Sequence, residues 1–166
     1  MSIVDEVKNS ELFSSLDPDQ LDKIVTMCRG SSFKEGSRIF TEGSEATELY
    51  ILTEGSVALE MELKPLPDRP AIPTAVEVVR RGGILGLSAV VEPHVYSLSA
   101  RCMSNCTALA IKGDLLRKRL ADDPRLGYEV MKQLSRLIMV RLAETRLRLT
   151  SGIGLIMLGK DLRGLE

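Results

Sequence analysis

Between Gly36 and Ile111 the chain consists of short runs of branched and aromatic residues, bounded by glycine or proline. The runs are RIF, LYIL, VALEMEL, VEVV, YSLSARC and TALAI. This length and spacing are typical of the strands of an all-β sandwich or barrel. Four prolines in residues 65–73 predict an exposed hairpin loop between two strands, because proline cannot donate to a central ladder.

Helical signals flank this β region. In the segment LDPDQLDKIVTMC, Asp17 is placed to cap a helix, Pro18 to be its first residue and Gln20 to complete a capping box. A shorter helix is expected before it, ending near residues 13–16. The segment GDLLRKRLADD predicts another helix, and Asp123 with Pro124 begins a long one that is expected to end near Thr150.

The predicted organisation is one domain over residues 1–150, mainly β with flanking helices. Its barrel covers about residues 31–112 and its C-terminal helices about 113–150, and residues 151–166 form an apolar, glycine-broken tail.

Composition narrows the function classes. The net charge of −1 gives no broad electrostatic attraction to nucleic acid or to an anionic membrane. No apolar run approaches the roughly 18 residues that span a bilayer, and the N-terminus lacks the features of a signal peptide. We therefore expect a cytoplasmic protein with no membrane span. Three cysteines and one histidine make a poor disulfide framework and a poor metal-ligand set, so no metal site is expected.

The segment GSRIFTEGSEATELYILTEGSVALEMEL resembles the first half of a cyclic-nucleotide-binding domain, as in the catabolite activator family and in protein kinase A regulatory subunits. The matching residues are Gly36, Ile39, Phe40, Glu42, Gly43, Leu49, Tyr50, Ile51, Gly55 and Val57. Helical and strand segments on both sides extend the resemblance over roughly residues 11–150. The fold that it implies is a double-stranded β-helix jelly roll followed by a long helix.

The resemblance places GILGLSAVVEPHVYSLSARC in the family's phosphate-binding cassette. The family pattern is Gly-Glu-Leu-Ala, a short helix, and then Arg-Ser/Thr-Ala, where arginine binds the phosphate and glutamate the ribose hydroxyl. The chain keeps a glycine, an alanine and a serine of this pattern, but Leu87 stands in the glutamate position and Tyr96 in the arginine position. The predicted cassette residues are Gly86, Leu87, Ser88, Ala89, Tyr96, Ser97 and Leu98.

The two substitutions leave three explanations open. The pocket binds another, more apolar small molecule against Leu85, Leu87, Val90, Tyr96 and Leu98. Alternatively, it binds nothing, and the chain is a protein-protein interaction or dimerisation module on the same scaffold. In the third, Arg80, Arg81 or an arginine of a partner's long helix replaces the missing guanidinium, so that cAMP or cGMP still binds.

The long helix has more apolar surface than a small barrel can cover, which predicts a homodimer. The predicted dimerisation residues are Val130, Leu134, Leu137, Ile138 and Arg141. Because only residues 151–166 follow, too few for a helix-turn-helix domain, no direct DNA binding is expected, and any output would pass through a protein partner.

The leading prediction is therefore a non-catalytic, ligand-sensing regulatory domain with weak or altered nucleotide binding. Catalysis by a cysteine–histidine pair would require His94 beside Cys102 or Cys106 and a third group to orient it. A redox or haem sensor that uses the cysteines is a minor alternative.

Overall fold

Eight antiparallel strands form two four-stranded sheets in the computed structural model, which describes residues 2–64 and 70–163. The strands are β1 (Arg29–Phe33), β2 (Arg38–Phe40), β3 (Glu48–Glu54), β4 (Val57–Leu63), β5 (Ile72–Val79), β6 (Ile84–Leu85), β7 (Ser99–Cys102) and β8 (Cys106–Lys112). One sheet has the order β1-β8-β3-β6 and the other the order β2-β7-β4-β5. This is the jelly roll that the sequence predicted.

The core lies between the inward faces of the two sheets. Its buried members come from both sheets and are Tyr50, Leu52, Val57, Leu59, Val79, Leu85, Ala100, Cys102, Cys106, Ala108 and Ala110. Strand β3 is buried from Leu49 to Leu52, on both faces, as a central strand beneath a helical layer would be. The turn before β4 requires glycine, because Gly55 has a φ of 87° and an added Cβ would lie 2.5 Å from the carbonyl oxygen of Asn105.

Two strands differ from the sequence prediction in their extent. Of the run YSLSARC, only Ser99–Cys102 is strand, and the preceding residues form a turn and an isolated bridge between Val95 and Glu45. Strand β5 begins at Ile72, so that Pro73 lies in a strand at the edge of its sheet, where proline is tolerated. The centre of the predicted proline loop lies outside the described residues.

The helices before the barrel are α1 (Ile3–Lys8) and α2 (Pro18–Val25). The predicted capping box of α2 is present: the Asp17 side chain accepts from the Gln20 N–H at 2.9 Å. Helix α1 ends earlier than expected. The Ser10 hydroxyl donates to the Val7 carbonyl, and the Glu11 N–H donates to the Gly82 carbonyl at 3.0 Å, which turns the chain onto the barrel.

After the barrel come α3 (Gly113–Asp122) and α4 (Pro124–Arg163). Asp123 caps α4 as predicted, accepting from the Leu126 N–H at 3.1 Å. The predicted end near Thr150 is wrong, since the helix continues to Arg163. Residues 151–163 contain no proline, and interior glycines weaken a helix by only about 1 kcal/mol each, so nothing in this stretch forces a stop.

The chain divides into two compact units, residues 1–133 and residues 134–166. The first contains the barrel, helices α1 to α3 and the first turns of α4. The described part of the second, residues 134–163, is the rest of α4. No helix among the described residues is long and apolar enough to cross a membrane.

Candidate ligand-binding cassette

The cassette begins with a sharp turn at Gly86. This residue has a φ of 75° and precedes a 3₁₀ helix, η1 (Leu87–Ala89), which follows strand β6. An added Cβ would lie 2.7 Å from the carbonyl oxygen of Glu48 and 3.1 Å from the Tyr96 ring. Both the backbone conformation and the close approach of the chain therefore require glycine here.

The structure brings Tyr96 against this turn and buries it. Only 4% of the side chain is exposed. Its ring stacks on Phe40, with the ring centroids 3.9 Å apart and an angle of 10° between the planes. Phe40 in turn stacks on Tyr50 at 6.2 Å, so three aromatic rings form one continuous stack beside η1. Tyr96 thus has the burial of a core side chain.

The Tyr96 hydroxyl is fixed by the backbone of Glu48. It donates to the Glu48 carbonyl at 2.7 Å and accepts from the Glu48 N–H at 3.2 Å. The Glu48 carboxylate is occupied as well, by the Tyr50 hydroxyl at 2.8 Å and by the Arg29 guanidinium at 2.9 Å. The ring and the hydroxyl of Tyr96 therefore both have protein partners.

The aromatic stack supplies no charge. Burial is the main reason that the pKa of Tyr96 lies above its ordinary value. Burial, followed by the hydrogen bond to Glu48, raises the pKa of Tyr50 as well. Both phenols are therefore neutral at physiological pH, and neither can replace the positive charge of an arginine.

The other predicted cassette residues occupy different environments. Ala89 is buried, whereas Gly86, Leu87 and Ser88 are half-buried. Leu98 is half-buried and packs against the barrel core, and Ser97 is exposed. The structure therefore brings Tyr96 to Gly86, while Leu98 belongs to the core and Ser97 to the surface.

Three arginines of this chain lie near enough in sequence to be examples of a replacement for the missing guanidinium: Arg80, Arg81 and Arg101. Arg81 forms an ion pair with Glu6, and Arg80 is exposed. Arg101, at the end of the cassette segment, donates from Nε to the buried carboxylate of Glu60 at 2.8 Å. Arg81 and Arg101 are therefore committed to carboxylates.

Two side chains hold η1 from outside the barrel. The His94 Nδ1 lies 3.3 Å from the Ser88 carbonyl oxygen, and the Arg117 guanidinium of α3 donates to the Ala89 carbonyl. His94 is half-buried, in a turn, with a φ of 57°. These residues border a polar cleft of about 380 Å³, which Glu45, Lys112 and Asp114 also line.

The first residue of α3 packs closely on the cassette. The Gly113 N–H donates to the Thr47 carbonyl at 2.8 Å. An added Cβ on Gly113 would lie 2.7 Å from the Ala89 carbonyl oxygen. The end of η1 and the start of α3 are therefore in direct contact.

Sequence reasoning missed Phe40 and Glu48 as cassette residues. They belong to other strands, and a local pattern does not indicate which distant residues a strand pairing will bring to a loop. Arg117 was missed because it lies on α3, 28 residues from Ala89. Cysteine–histidine catalysis would require His94 beside a cysteine, but its Nδ1 lies 3.3 Å from the Ser88 carbonyl oxygen, whereas Cys102 and Cys106 are buried in the core.

The predicted dimerisation residues differ in exposure. Val130 is fully buried, and Leu134 and Leu137 are 4% and 8% exposed, so these three offer little surface to a partner. Arg141 is half-buried, and Ile138 is 45% exposed. Among the described residues, no group of three or more histidine, cysteine or acidic side chains is placed to hold a metal ion.

A two-sheet jelly roll that carries a glycine-initiated 3₁₀ turn and is followed by helices defines a cyclic-nucleotide-binding type of fold. The family model described as "Cyclic nucleotide-binding domain" matches residues 31–123, and the chain belongs to this family. Over the described residues there is no separate DNA-binding domain.

The chain is similar in sequence to a known regulator and in fold to several solved structures. The chain is 24% identical over 125 residues to a CRP-like cAMP-activated global transcriptional regulator of Mycobacterium tuberculosis, covering 75% of this chain and 54% of that protein. It therefore spans about half the length of that relative. A candidate cyclic nucleotide-binding protein from Geobacter metallireducens has 29% identity and a TM-score of 0.71, covering 86% of this chain and 99% of the other. The regulatory domain of Toxoplasma gondii PKA with cAMP has 19% identity and a TM-score of 0.60, covering 70% of this chain and 42% of the other.

Proposed function

We propose that this chain is a non-catalytic regulatory domain in which Tyr96 fills the phosphate position of the cassette, so that cAMP and cGMP bind weakly. The observation that carries the proposal is the burial of Tyr96, stacked on Phe40 and hydrogen-bonded to the Glu48 backbone. A nucleotide phosphate would have to displace this ring and would then find no arginine in its place.

The size of the effect follows from the interactions that are missing. A hydrogen bond to a charged group contributes about 1.5–3 kcal/mol, so the loss of the glutamate and the arginine removes roughly 3–6 kcal/mol. This weakens a micromolar site by about 10²- to 10⁴-fold, toward millimolar. Displacement of the stacked Tyr96 ring adds to the penalty.

The regulatory part of the proposal is supported by the relatives. The Mycobacterium tuberculosis relative is a cAMP-activated transcriptional regulator, and the Toxoplasma gondii structure is a regulatory domain with cAMP. For this chain we propose a sensing or scaffolding output through a protein partner, with no direct DNA binding. A cytoplasmic location stays a prediction from the sequence.

We also propose that α4 forms a homodimer. Ile138, Leu142 and Leu149 are 45%, 40% and 62% exposed and follow one another at intervals of 4 and 7 residues, which places them on one side of the helix. Val130, Leu134 and Leu137 of the predicted set are 0%, 4% and 8% exposed, so we base the proposed dimer on this exposed stripe.

Calorimetric titration with cAMP, and with cGMP in a parallel run, tests the cassette proposal. We expect no saturation below millimolar nucleotide for the wild-type chain. The double variant Leu87→Glu, Tyr96→Arg restores both recognition groups and should bind at least tenfold more tightly. The control Tyr128→Arg adds the same charge at a tyrosine that is 67% exposed on α4, and it should leave the binding unchanged.

Micromolar binding by the wild-type chain would contradict the proposal and would show that another cation replaces the missing arginine. A second function, a ligand-free interaction module, is favoured by the same burial of Tyr96. If the chain is such a module, uncharged aromatic ligands should not bind to the wild-type cassette either.

A further inference from the structure

The polar cleft of about 380 Å³ beside the cassette is lined by an unusual number of charged groups. It lies between the loop before β3, the cassette turn and the start of α3. Six of its lining residues have ionisable side chains: Glu45, Glu48, His94, Lys112, Asp114 and Arg117. Its volume is within the range of pockets that hold small molecules. A lining of this kind suits a ligand that is itself charged.

The acidic and basic side chains of the cleft do not pair with one another. Among the residues that the structure describes, no ion pair within 4 Å joins two side chains of this lining. Opposite charges elsewhere in the chain do meet directly, as Lys23 and Asp123 do at 2.6 Å. The opposite charges of the cleft are therefore further apart than a direct ion pair, which leaves room for a molecule between them.

Two of the charged groups are committed to other parts of the protein. The Glu48 carboxylate accepts from the Tyr50 hydroxyl at 2.8 Å and pairs with Arg29 at 2.9 Å. The Arg117 guanidinium donates to the Ala89 carbonyl. These two side chains form fixed walls of the cleft.

The remaining charged groups are open to a ligand. Lys112 and Glu45 are exposed, and neither side chain has a hydrogen-bond or ion-pair partner in the described part of the chain. Lys112 precedes α3 and makes no capping hydrogen bond with its side chain. Asp114 uses one oxygen for the Leu115 N–H, at 2.8 Å, and keeps the other. The cleft thus offers one ammonium group and two carboxylates.

We propose that this cleft binds a small zwitterion of the α-amino acid type. The ligand carboxylate lies against Lys112, and its ammonium group lies against Glu45 and Asp114. A molecule with one charge of each sign is attracted to both sets of side chains, whereas a simple anion or a simple cation meets like charge on one side of the cleft.

This site is separate from the nucleotide position, since no residue of η1 lines the cleft. It is nevertheless next to the cassette. The His94 Nδ1 lies 3.3 Å from the Ser88 carbonyl oxygen, and Arg117 holds the Ala89 carbonyl. A zwitterion in the cleft therefore lies beside the two side chains that hold η1.

The single histidine of the chain makes binding directly measurable. His94 lines the cleft, so its imidazole C–H signals in a proton NMR spectrum report on this site alone. L-Glutamine is the probe, because its uncharged polar side chain suits a polar lining. At constant pH we expect a saturable shift of these signals with a Kd of about 1 mM, the affinity that two charge-assisted hydrogen bonds provide.

Two blocked analogues distinguish a zwitterion site from a site for a single charge. N-acetyl-L-glutamine lacks the ammonium group and L-glutamine amide lacks the carboxylate, so each should bind at least about tenfold more weakly than L-glutamine. Equal binding of either analogue would show a simple anion or cation site and would overturn the proposal. The absence of any shift with L-glutamine up to about 20 mM would overturn it as well.

Substitutions of exposed side chains test the assigned contacts. Lys112→Gln and Glu45→Gln should each weaken L-glutamine binding at least about tenfold. In Lys112→Gln, L-glutamine and its amide should bind to a similar extent, because the group that distinguishes the carboxylate is gone. A merely structural role of Lys112 would leave that discrimination intact.

Lys118→Gln and Glu35→Gln are the matched controls. Both side chains are exposed and lie outside the lining of the cleft, so both variants should bind L-glutamine like the wild type. Unchanged binding in Lys112→Gln and Glu45→Gln would place the probe elsewhere on the protein and would refute the assigned site.

Discussion

Tyr96 has two separate roles in the cassette. Its ring closes the aromatic stack with Phe40, and its hydroxyl satisfies both backbone groups of Glu48. Each role contributes separately to the folded state, because stacking depends on the ring and the hydrogen bonds depend on one oxygen. Substitutions can therefore separate the two contributions.

We expect Tyr96→Ala to lower the free energy of unfolding by about 3–5 kcal/mol, because it removes a buried ring and leaves a cavity. Tyr96→Phe keeps the ring and should lower it by about 1–2 kcal/mol through the loss of the hydroxyl's hydrogen bonds. Urea denaturation measures both.

Tyr128→Ala is the control for these two variants, since that side chain is 67% exposed and its removal should change the free energy of unfolding by less than about 0.5 kcal/mol. Equal losses for Tyr96→Ala and Tyr96→Phe would show that the hydroxyl alone matters.

The sequence pattern predicts that Tyr96 stands in the arginine position of the cassette, but it does not predict what Tyr96 contacts. The hydroxyl's partner lies 48 residues away, and the stacking partner Phe40 lies on β2. Neither has a local signal, because strand pairing across the barrel decides which distant residue faces a loop. The sequence left open whether Tyr96 binds a ligand, and its burial is what favours the self-filled cassette.

At the scale of elements, the start of α3 packs on the end of η1 through Gly113 and Ala89. We expect Gly113→Ala to lower the free energy of unfolding by about 1–3 kcal/mol, because the added methyl group would lie 2.7 Å from the Ala89 carbonyl oxygen. Thermal or urea unfolding measures the change.

Gly30→Ala is the matched control for this substitution. Gly30 lies in β1, and an added Cβ there meets nothing within 4 Å, so we expect an unchanged or slightly higher free energy of unfolding. A Gly113→Ala variant as stable as Gly30→Ala would show that α3 can shift away from η1 at little cost.

Elements with strong local signals were predictable, and the others were not. Asp17 and Asp123 mark the starts of α2 and α4 because a cap acts through neighbouring backbone N–H groups. Strand β6 has two residues and β1 is the polar run RGSSF, so neither shows a periodic apolar pattern. Both exist through pairing with distant strands, β6 with β3 and β1 with β8.

At the scale of the whole molecule, the exposed stripe on α4 predicts the oligomeric state. Leu142→Glu should convert a dimer to a monomer, because a carboxylate would be buried among apolar side chains of the partner. Leu147→Glu is the control: Leu147 is 67% exposed and lies five residues further along α4, on the opposite side of the helix. Sedimentation velocity distinguishes the outcomes, and a wild-type chain that is monomeric at high concentration would contradict the dimer.

Alkaline pH should destabilise the reduced protein as a whole. Burial raises the pKa of both Cys28 and Cys102 to about 11, from an ordinary value of 9.0. Between these values the unfolded chain binds fewer protons than the folded one, so the free energy of unfolding falls as the pH rises from about 9 to about 11. The loss should be on the order of 2 kcal/mol per thiol.

Urea midpoints at pH 8 and pH 11, under a reducing agent, measure this loss. Cys28→Ala should show a smaller decrease than the wild type, because one of the two thiols is gone. An identical decrease in both proteins would assign the alkaline loss to groups other than Cys28.

Because the Tyr96 ring stacks on Phe40, truncation of Tyr96 would open a binding slot for a small aromatic molecule in the cassette. Removal of the Tyr96 side chain leaves a slot bounded by an aromatic ring and by the backbone of Glu48. Apolar cavities of about 150 Å³ in proteins stay dry and take up benzene-sized molecules. Phenol carries the ring and the hydroxyl that the truncation removes. Phenol should therefore bind Tyr96→Ala and restore part of the stability that the truncation removes.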